Sequence, residues 1–184
     1  MPANVLSNAL VGPFHDLRRF VVGALAAPPP TRRTGAAEVA AARAILAAAG
    51  CDLSGCTEEN LHTAVVPLAP AAAYDRFAAW QAWPCSAFFA CSQTEGGVAR
   101  FSYRFYGLIP VVRMQLASAV RPAHIIHRVL WGFGAGGYHC FLFAPADDAG
   151  STVVSIFTVY PPQPFLTGLH DQTNRDIFRL LGGA

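Results

Sequence analysis

The sequence predicts an α+β fold in which a curved antiparallel sheet wraps on a long C-terminal helix. The first observation is a run of segments rich in Val, Ile, Phe and Tyr between Val98 and Tyr160, a composition that favours strands. The second is that turn-forming residues separate these segments, as at Arg121-Pro122 and Pro145–Gly150. The third is a closing segment, Phe165–Leu181, with apolar residues at helical spacing. The predicted strands are Val98–Leu108, Val111–Leu116, His124–Trp131, Gly137–Ala144 and Ser151–Tyr160.

Residues 1–60 are predicted to form a helical N-terminal extension. Within residues 4–27 apolar side chains recur three or four positions apart, which indicates an amphipathic helix. Ala36–Ala49 is predicted to be a second helix, and Gly50 is well placed as its C-terminal stop. The apolar positions of the first helix are Leu10, Phe14, Leu17, Val21 and Leu25.

Residues 61–184 are predicted to form the main domain. Leu61–Leu68 alternates enough to be its first strand. Pro70 then begins a helix, because proline is tolerated in a first helical turn, and this helix ends before Pro84. In the closing helix Asp171 is expected to point outward and to pair with Arg175, four residues on.

The composition excludes several classes of function. The chain has no Lys, which rules out Schiff-base or phosphate-loop lysine chemistry. A net charge of +2 without a large basic cluster argues against nucleic-acid binding, and no apolar run is long enough for a membrane span. The odd number of cysteines, 5, favours a reducing compartment and a cytoplasmic location over a disulfide framework.

Two motifs could indicate a cofactor or metal, and neither has the context it needs. Gly132–Gly137 contains the pattern G-x-G-x-x-G, but a strand rather than a helix follows, and no acid lies between Ser151 and Asp171. A glycine hairpin or bulge within the sheet is the preferred interpretation. Cys51, Cys56 and His62 lack the fourth ligand of a structural zinc site. We therefore predict no cofactor and no metal.

The order of elements resembles that of the START-like superfamily, the helix-grip fold of polyketide cyclases, lipid-transfer domains and plant pathogenesis-related proteins. Leu68-Ala69-Pro70 through Trp80 and Trp83 look like that family's first strand, proline-started helix and Trp. Pro122–Trp131 and Pro145–Val153 look like its middle strands and its Gly-Thr hairpin. The resemblance covers roughly residues 61–181. It implies a ligand cavity between the sheet and the closing helix, and catalysis by shaping and proton transfer without metal or nucleotide.

We predict that any chemistry lies in that cavity. Alternation places His124 and Arg128 on one side of their strand and His127 on the other. We assign catalysis to His124, as proton shuttle, and to Arg128, which steadies negative charge on an oxygen. This face is chosen because an Arg buried on a packed outer face needs an acid partner, and no predicted strand offers one. The predicted substrate-binding residues are Tyr103, Arg104, Tyr106, Arg113, His127 and Tyr138.

Three functions follow as alternatives. The first is an enzyme that cyclises, dehydrates or isomerises a hydrophobic, polyketide-like or terpenoid small molecule. The second is a non-catalytic carrier or sensor for lipids or other apolar molecules. The third is a partner-binding domain whose N-terminal helices cover the outer sheet face or form a homodimer. A cavity lined by His, Tyr and Arg favours the first, and an all-apolar cavity favours the second. Because one fold hosts many functions, the fold does not decide between them.

Overall fold

The computed structural model describes residues 32–33, 35–79, 90–95, 98–103, 109–147, 150–163 and positions 170, 171, 174, 177 and 178. Two helices lie in this part of the chain, α1 (Ala36–Ala48) and α2 (Pro70–Ala78). The strands are β1 (Arg32–Arg33), β2 (Glu58–Val66), β3 (Ala90–Glu95), β4 (Val98–Tyr103), β5 (Ile109–Val120), β6 (His124–Gly132), β7 (Tyr138–Pro145) and β8 (Thr152–Tyr160).

The strands form one antiparallel sheet in the order β1-β2-β8-β7-β6-β5-β4-β3. The five strands predicted between residues 98 and 160 are therefore confirmed as neighbours in a single antiparallel sheet. On the other side of β8, β2 pairs with β8 along its whole length, from Glu58 opposite Tyr160 to Val66 opposite Thr152. The class is α+β, with the sheet curved around its core.

The bounds of two strands differ from the predicted ones by more than one residue, and a further strand was not predicted. β2 runs from Glu58 to Val66, whereas Leu61–Leu68 was predicted. β5 runs from Ile109 to Val120, past both ends of the predicted Val111–Leu116, and a register shift between Leu116 and Ser118 marks a bulge within it. A bulge breaks the alternation that marks a strand in sequence. β3 was not predicted, since its sequence, Ala-Cys-Ser-Gln-Thr-Glu, is too polar to stand out. The predicted strand residues 104–108 lie outside the described residues.

Helix α1 covers one face of the sheet, which we call the outer face. Ala42 and Leu46 pack against Leu61, Ile126 and Phe157. The helix ends in a Schellman motif, as Gly50 was predicted to allow: its N–H bonds the carbonyl of Ala47, and the N–H of Cys51 bonds that of Leu46. Gly50 has a φ of +77°, which favours glycine at this position. The predicted helix over 4–27 lies outside the described residues.

The opposite, inner face holds the larger core. α2 buries Tyr74 and Phe77 there, with Phe77 edge-on to Phe141 at 5.3 Å and to Phe143 at 5.6 Å. Ile177 and Phe178 from the C-terminal segment belong to the same cluster. This segment therefore packs on the inner face, as predicted.

The long C-terminal helix is described only in part. His170, Asp171, Asn174, Ile177 and Phe178 are helical, and the intervening positions lie outside the described residues.

No helix in the described ranges is long and apolar enough to cross a membrane.

Candidate functional site

A row of polar residues crosses the inner face. The register pairs His127 with His139, His139 with Thr158, and Thr158 with Asn60, so the row runs through β6, β7, β8 and β2. Directly paired residues of antiparallel strands share a face. All four side chains are buried, and on β6, β7 and β8 the row lies next to Ile125, Phe141 and Ile156 of the apolar core. We call these four residues the polar row.

The C-terminal segment places two polar side chains against one end of this row. Asn174 is fully buried, and its Nδ2 donates to Asn60 Oδ1 at 2.9 Å and to Thr158 Oγ1 at 3.4 Å. Asn60 Nδ2 in turn donates to Asp171 Oδ1 at 3.3 Å. These hydrogen bonds hold the C-terminal segment against β2 and β8.

His62 lies one step along β2 from Asn60 and pairs with the same carboxylate. Its Nε2 donates to Asp171 Oδ1 at 2.6 Å, and the ring is buried. The predicted outward direction of Asp171 is therefore wrong: this residue closes over a buried histidine. Sequence spacing within one helix cannot show a partner 109 residues away.

The histidines of the row are held in the neutral form. Burial lowers the pKa of His127 to about 4. Burial also lowers the pKa of His139 to about 3, helped by His127 and His170 and opposed by a hydrogen bond with Asn174. Burial lowers the pKa of His170 to about 4, and this ring lies 4.5 Å from that of Tyr160. These three imidazoles are therefore uncharged at neutral pH.

Several ring nitrogens in this region have no hydrogen-bond partner among the described residues. They are Nδ1 of His62 and His127 and Nε2 of His170. Nδ1 of His139 and Oδ1 of Asn174 make no other bond of standard geometry, but these two side chains interact with each other. A buried polar atom without a partner costs free energy, so native proteins usually satisfy such atoms with protein, water or a ligand. An unsatisfied buried nitrogen such as Nδ1 of His127 indicates a position where a polar group from outside the protein can bind.

Apolar side chains continue the inner face beyond the row. Leu116 pairs with His127 and is 47% exposed, and Val129, two residues on from His127, continues the same face of β6. The ring of Phe141 lies 5.0 Å from that of His139. The polar row is thus bordered by apolar surface on β5 and β6, a combination that is typical of small-molecule sites.

The structure places His124 and Arg128 on the other face. Both alternate with Ile125 and His127 and share the outer face with Ile126, which packs under α1. The predicted position of this pair between sheet and C-terminal segment is therefore wrong. The choice of face assumed that Arg128 would be buried, but Arg128 is exposed. Hydrogen bonds with Ser54 lower the pKa of the Asp52 carboxyl, in the loop after α1, and Arg128 lies near enough to lower it further.

Of the other predicted residues, His127 alone is described on the inner face as a buried side chain. Tyr138 is on the outer face, where its hydroxyl accepts from the Asp52 N–H at 3.1 Å. Arg113 is exposed on β5, opposite Trp131. Tyr103 is the last residue of β4, with its side chain outside the described part, as are Arg104 and Tyr106 entirely. His124 hydrogen-bonds Ser118 Oγ at 2.9 Å.

Sequence reasoning missed Asn60, Thr158 and Asn174. The burial of Asn174 could have been predicted from its spacing. It precedes Ile177 and Phe178 by three and four residues and so shares their side of a helix. The metal motif also stays without support: no group of three or more His, Cys, Asp or Glu in the described ranges could hold a metal ion.

Comparison with known proteins shows the fold. No protein-family model and no curated protein matches the chain. Among solved structures, XoxI from Bacillus cereus is 10% identical with a TM-score of 0.58, over 68% of this chain and 94% of that one. An uncharacterized protein from Bacillus thuringiensis is 8% identical, with a TM-score of 0.52 over 67% and 96%. The Aha1 dimer from Colwellia psychrerythraea is 11% identical, with a TM-score of 0.50 over 69% and 98%. The chain therefore shares the helix-grip-like fold of these structures over about two thirds of its length.

Proposed function

We propose that the inner face binds an apolar small molecule that carries a carbonyl or hydroxyl group, with the polar row as the site of its polar group. The observation that carries this proposal is that buried ring nitrogens on the inner face have no partner among the residues the structure describes, next to the exposed side chain of Leu116. An apolar body fits the surface of β5 and β6, and a single oxygen atom satisfies His127 or His139. No charged side chain belongs to the row, so a neutral ligand is favoured over an anion.

The reaction that suits this arrangement is proton transfer next to a carbonyl group, as in cyclisation, dehydration or isomerisation of a polyketide-like substrate. A neutral imidazole N–H can donate a hydrogen bond to a carbonyl oxygen and stabilise the negative charge that develops there. His127 and His139 are neutral because of burial, so each has one N–H donor and one acceptor nitrogen. His62, oriented by Asp171, is a further imidazole one step along the sheet.

A non-catalytic carrier or sensor is the second candidate, and the low pKa values favour it. A general acid or base works best when its pKa lies near the working pH. With pKa values of about 4 and 3, His127 and His139 are weak bases that fit hydrogen bonding better than proton exchange. Turnover of the bound molecule decides between enzyme and carrier, and both require the same site.

Replacing His127 by Ala is expected to weaken ligand binding about tenfold, because the ligand loses a buried hydrogen bond. The ligand is first identified by native mass spectrometry of protein purified from its own host. Its affinity for each variant is then measured by titration calorimetry, and turnover is followed by mass spectrometry of the mixture.

His124→Ala is the matched control, since His124 is on the same strand but the outer face. We expect its affinity to be unchanged. Loss of binding in the His124 variant alone would instead place the ligand on the outer face, which carries His124 and Arg128. Recovery of no small molecule from the native protein would contradict binding altogether.

A further inference from the structure

A groove with a volume of about 640 Å³ lies on the outer face, beside α1. Its floor consists of two rows of paired residues. One row joins Thr63, Ser155, Leu142 and His124, and the other joins Val65, Val153 and Ala144. Its wall is the side of α1 that carries Glu38, Ala41, Ala42 and Ile45. α1 therefore covers the outer-face residues Leu61 and Ile126 and leaves the two rows of the groove floor uncovered. We call this space the outer groove.

The outer groove exposes apolar side chains from both sides. Ile45 of α1 is 37% exposed and Val65 of β2 is 59% exposed. Large aliphatic groups facing each other across an open groove on a folded domain mark a surface that another apolar element can cover. Burying a side chain of this kind contributes about 1.5–3 kcal/mol.

We propose that the outer groove is the docking site of the chain's own N-terminal segment, residues 1–31. The connection of the chain is the first argument. Arg32 pairs with Thr63, a floor residue of the groove. Because this pairing is antiparallel, the chain before Arg32 leaves β1 in the direction of Val65, towards the open end of the groove.

The dimensions agree with this occupant. The apolar positions Leu17, Val21 and Leu25 fall on one side of the helix that the sequence predicts, and Leu17 to Leu25 spans about 12 Å in that form. The floor crosses four strands, from β2 to β6, a distance of about 14 Å. The residues from Ala26 to Thr31 can span about 20 Å when extended, which is enough to bring Leu25 over the floor.

Charge supports the same occupant. Glu38, whose Oε2 accepts a hydrogen bond from the Gly35 N–H at 2.7 Å, is the one acidic or basic side chain, apart from His124, among the described residues that line the outer groove. Arg18 and Arg19 directly follow Leu17 in the segment. When the apolar stripe faces the floor, an arginine of this pair can reach the rim at α1, where a carboxylate stands. A rim contact of this kind orients a segment more than it stabilises it.

The test is site-specific photo-cross-linking in the full chain, with p-benzoylphenylalanine introduced in place of Val65. We expect a cross-link within the monomer, which peptide mass spectrometry maps to residues 10–25. The same probe in place of Leu116, which pairs with His127 on the inner face, is expected not to reach that segment. A cross-linked dimer would show that a second copy occupies the groove. A probe that reacts with no protein segment would indicate that the outer groove is open to a small molecule. Either outcome overturns the proposal.

Trypsin supplies an independent measurement, since Arg18 and Arg19 are cleavage sites within the segment. Val65→Glu places a charge on the apolar floor, so the segment should undock and cleavage there should accelerate about tenfold. Leu130→Glu is the matched control: Leu130 is 41% exposed and does not line the groove. Equal cleavage rates in the two variants would contradict docking.

Discussion

Lowering the pH from 7 to 5 is expected to destabilise the folded protein by about 4 kcal/mol through His127 and His139. Burial lowers their folded-state pKa values to about 4 and about 3, whereas both return to about 6.5 on unfolding. Below pH 6.5 the unfolded chain therefore binds more protons than the folded one. The stability is complete above about pH 6.5 and is lost as the pH falls towards 4, at about 2 kcal/mol for each histidine by pH 5. His170 acts in the same direction.

Urea unfolding followed by circular dichroism at pH 7, 6 and 5 measures this loss. His127→Gln should remove about half of the dependence, because Gln keeps a polar group in the row without titrating in this range. His124→Gln is the control, since His124 is only partly buried and hydrogen-bonds Ser118. A free energy of unfolding that stays constant from pH 7 to 5 would show that these imidazoles are not buried as described.

The fold could be predicted from sequence because its elements are marked locally. The strands from His124 to Tyr160 fall within about one residue of the predicted bounds, since turn residues end each of them. α1 stops where Gly50 allows a left-handed residue. These features depend on neighbours along the chain, which a single sequence shows.

The site could not be predicted in the same way, because it depends on register. Neither His127 nor Asn60 carries a local mark of function, and they share a row only because β6, β7, β8 and β2 pair with one specific alignment. A shift of one residue in any pair would turn a side chain to the other face. Alternation correctly separated His124 from His127. It could not show which of the two faces α1 would cover, because both are apolar.

Replacing Gly137 by Ala is expected to destabilise the protein by about 3 kcal/mol or more. Such a loss would mean that the glycine-rich stretch Gly132–Gly137 has a structural role. This stretch forms the β6–β7 turn, where the N–H of Gly137 bonds the carbonyl of Gly134 and its carbonyl accepts from Val129. A Cβ at Gly137 would overlap the carbonyl oxygen of Val159 and lie 2.7 Å from Tyr160 Cα. Both obstacles are backbone atoms of β8, so relief requires the β7–β8 ladder to open near the polar row.

Gly150→Ala separates this steric effect from the conformational cost of losing a glycine. Gly150 has a φ of +97°, yet nothing lies within 4 Å of a Cβ built there. Its replacement should cost about 1 kcal/mol, from backbone strain alone. Gly137 shows no left-handed φ, so its larger loss would come from contact with β8. Equal midpoints for the two variants in urea unfolding would mean that β7 and β8 do not approach as closely as the structure shows. Hydrogen exchange in the Gly137 variant should then locate the opened ladder at Val159 and Tyr160 rather than throughout the sheet.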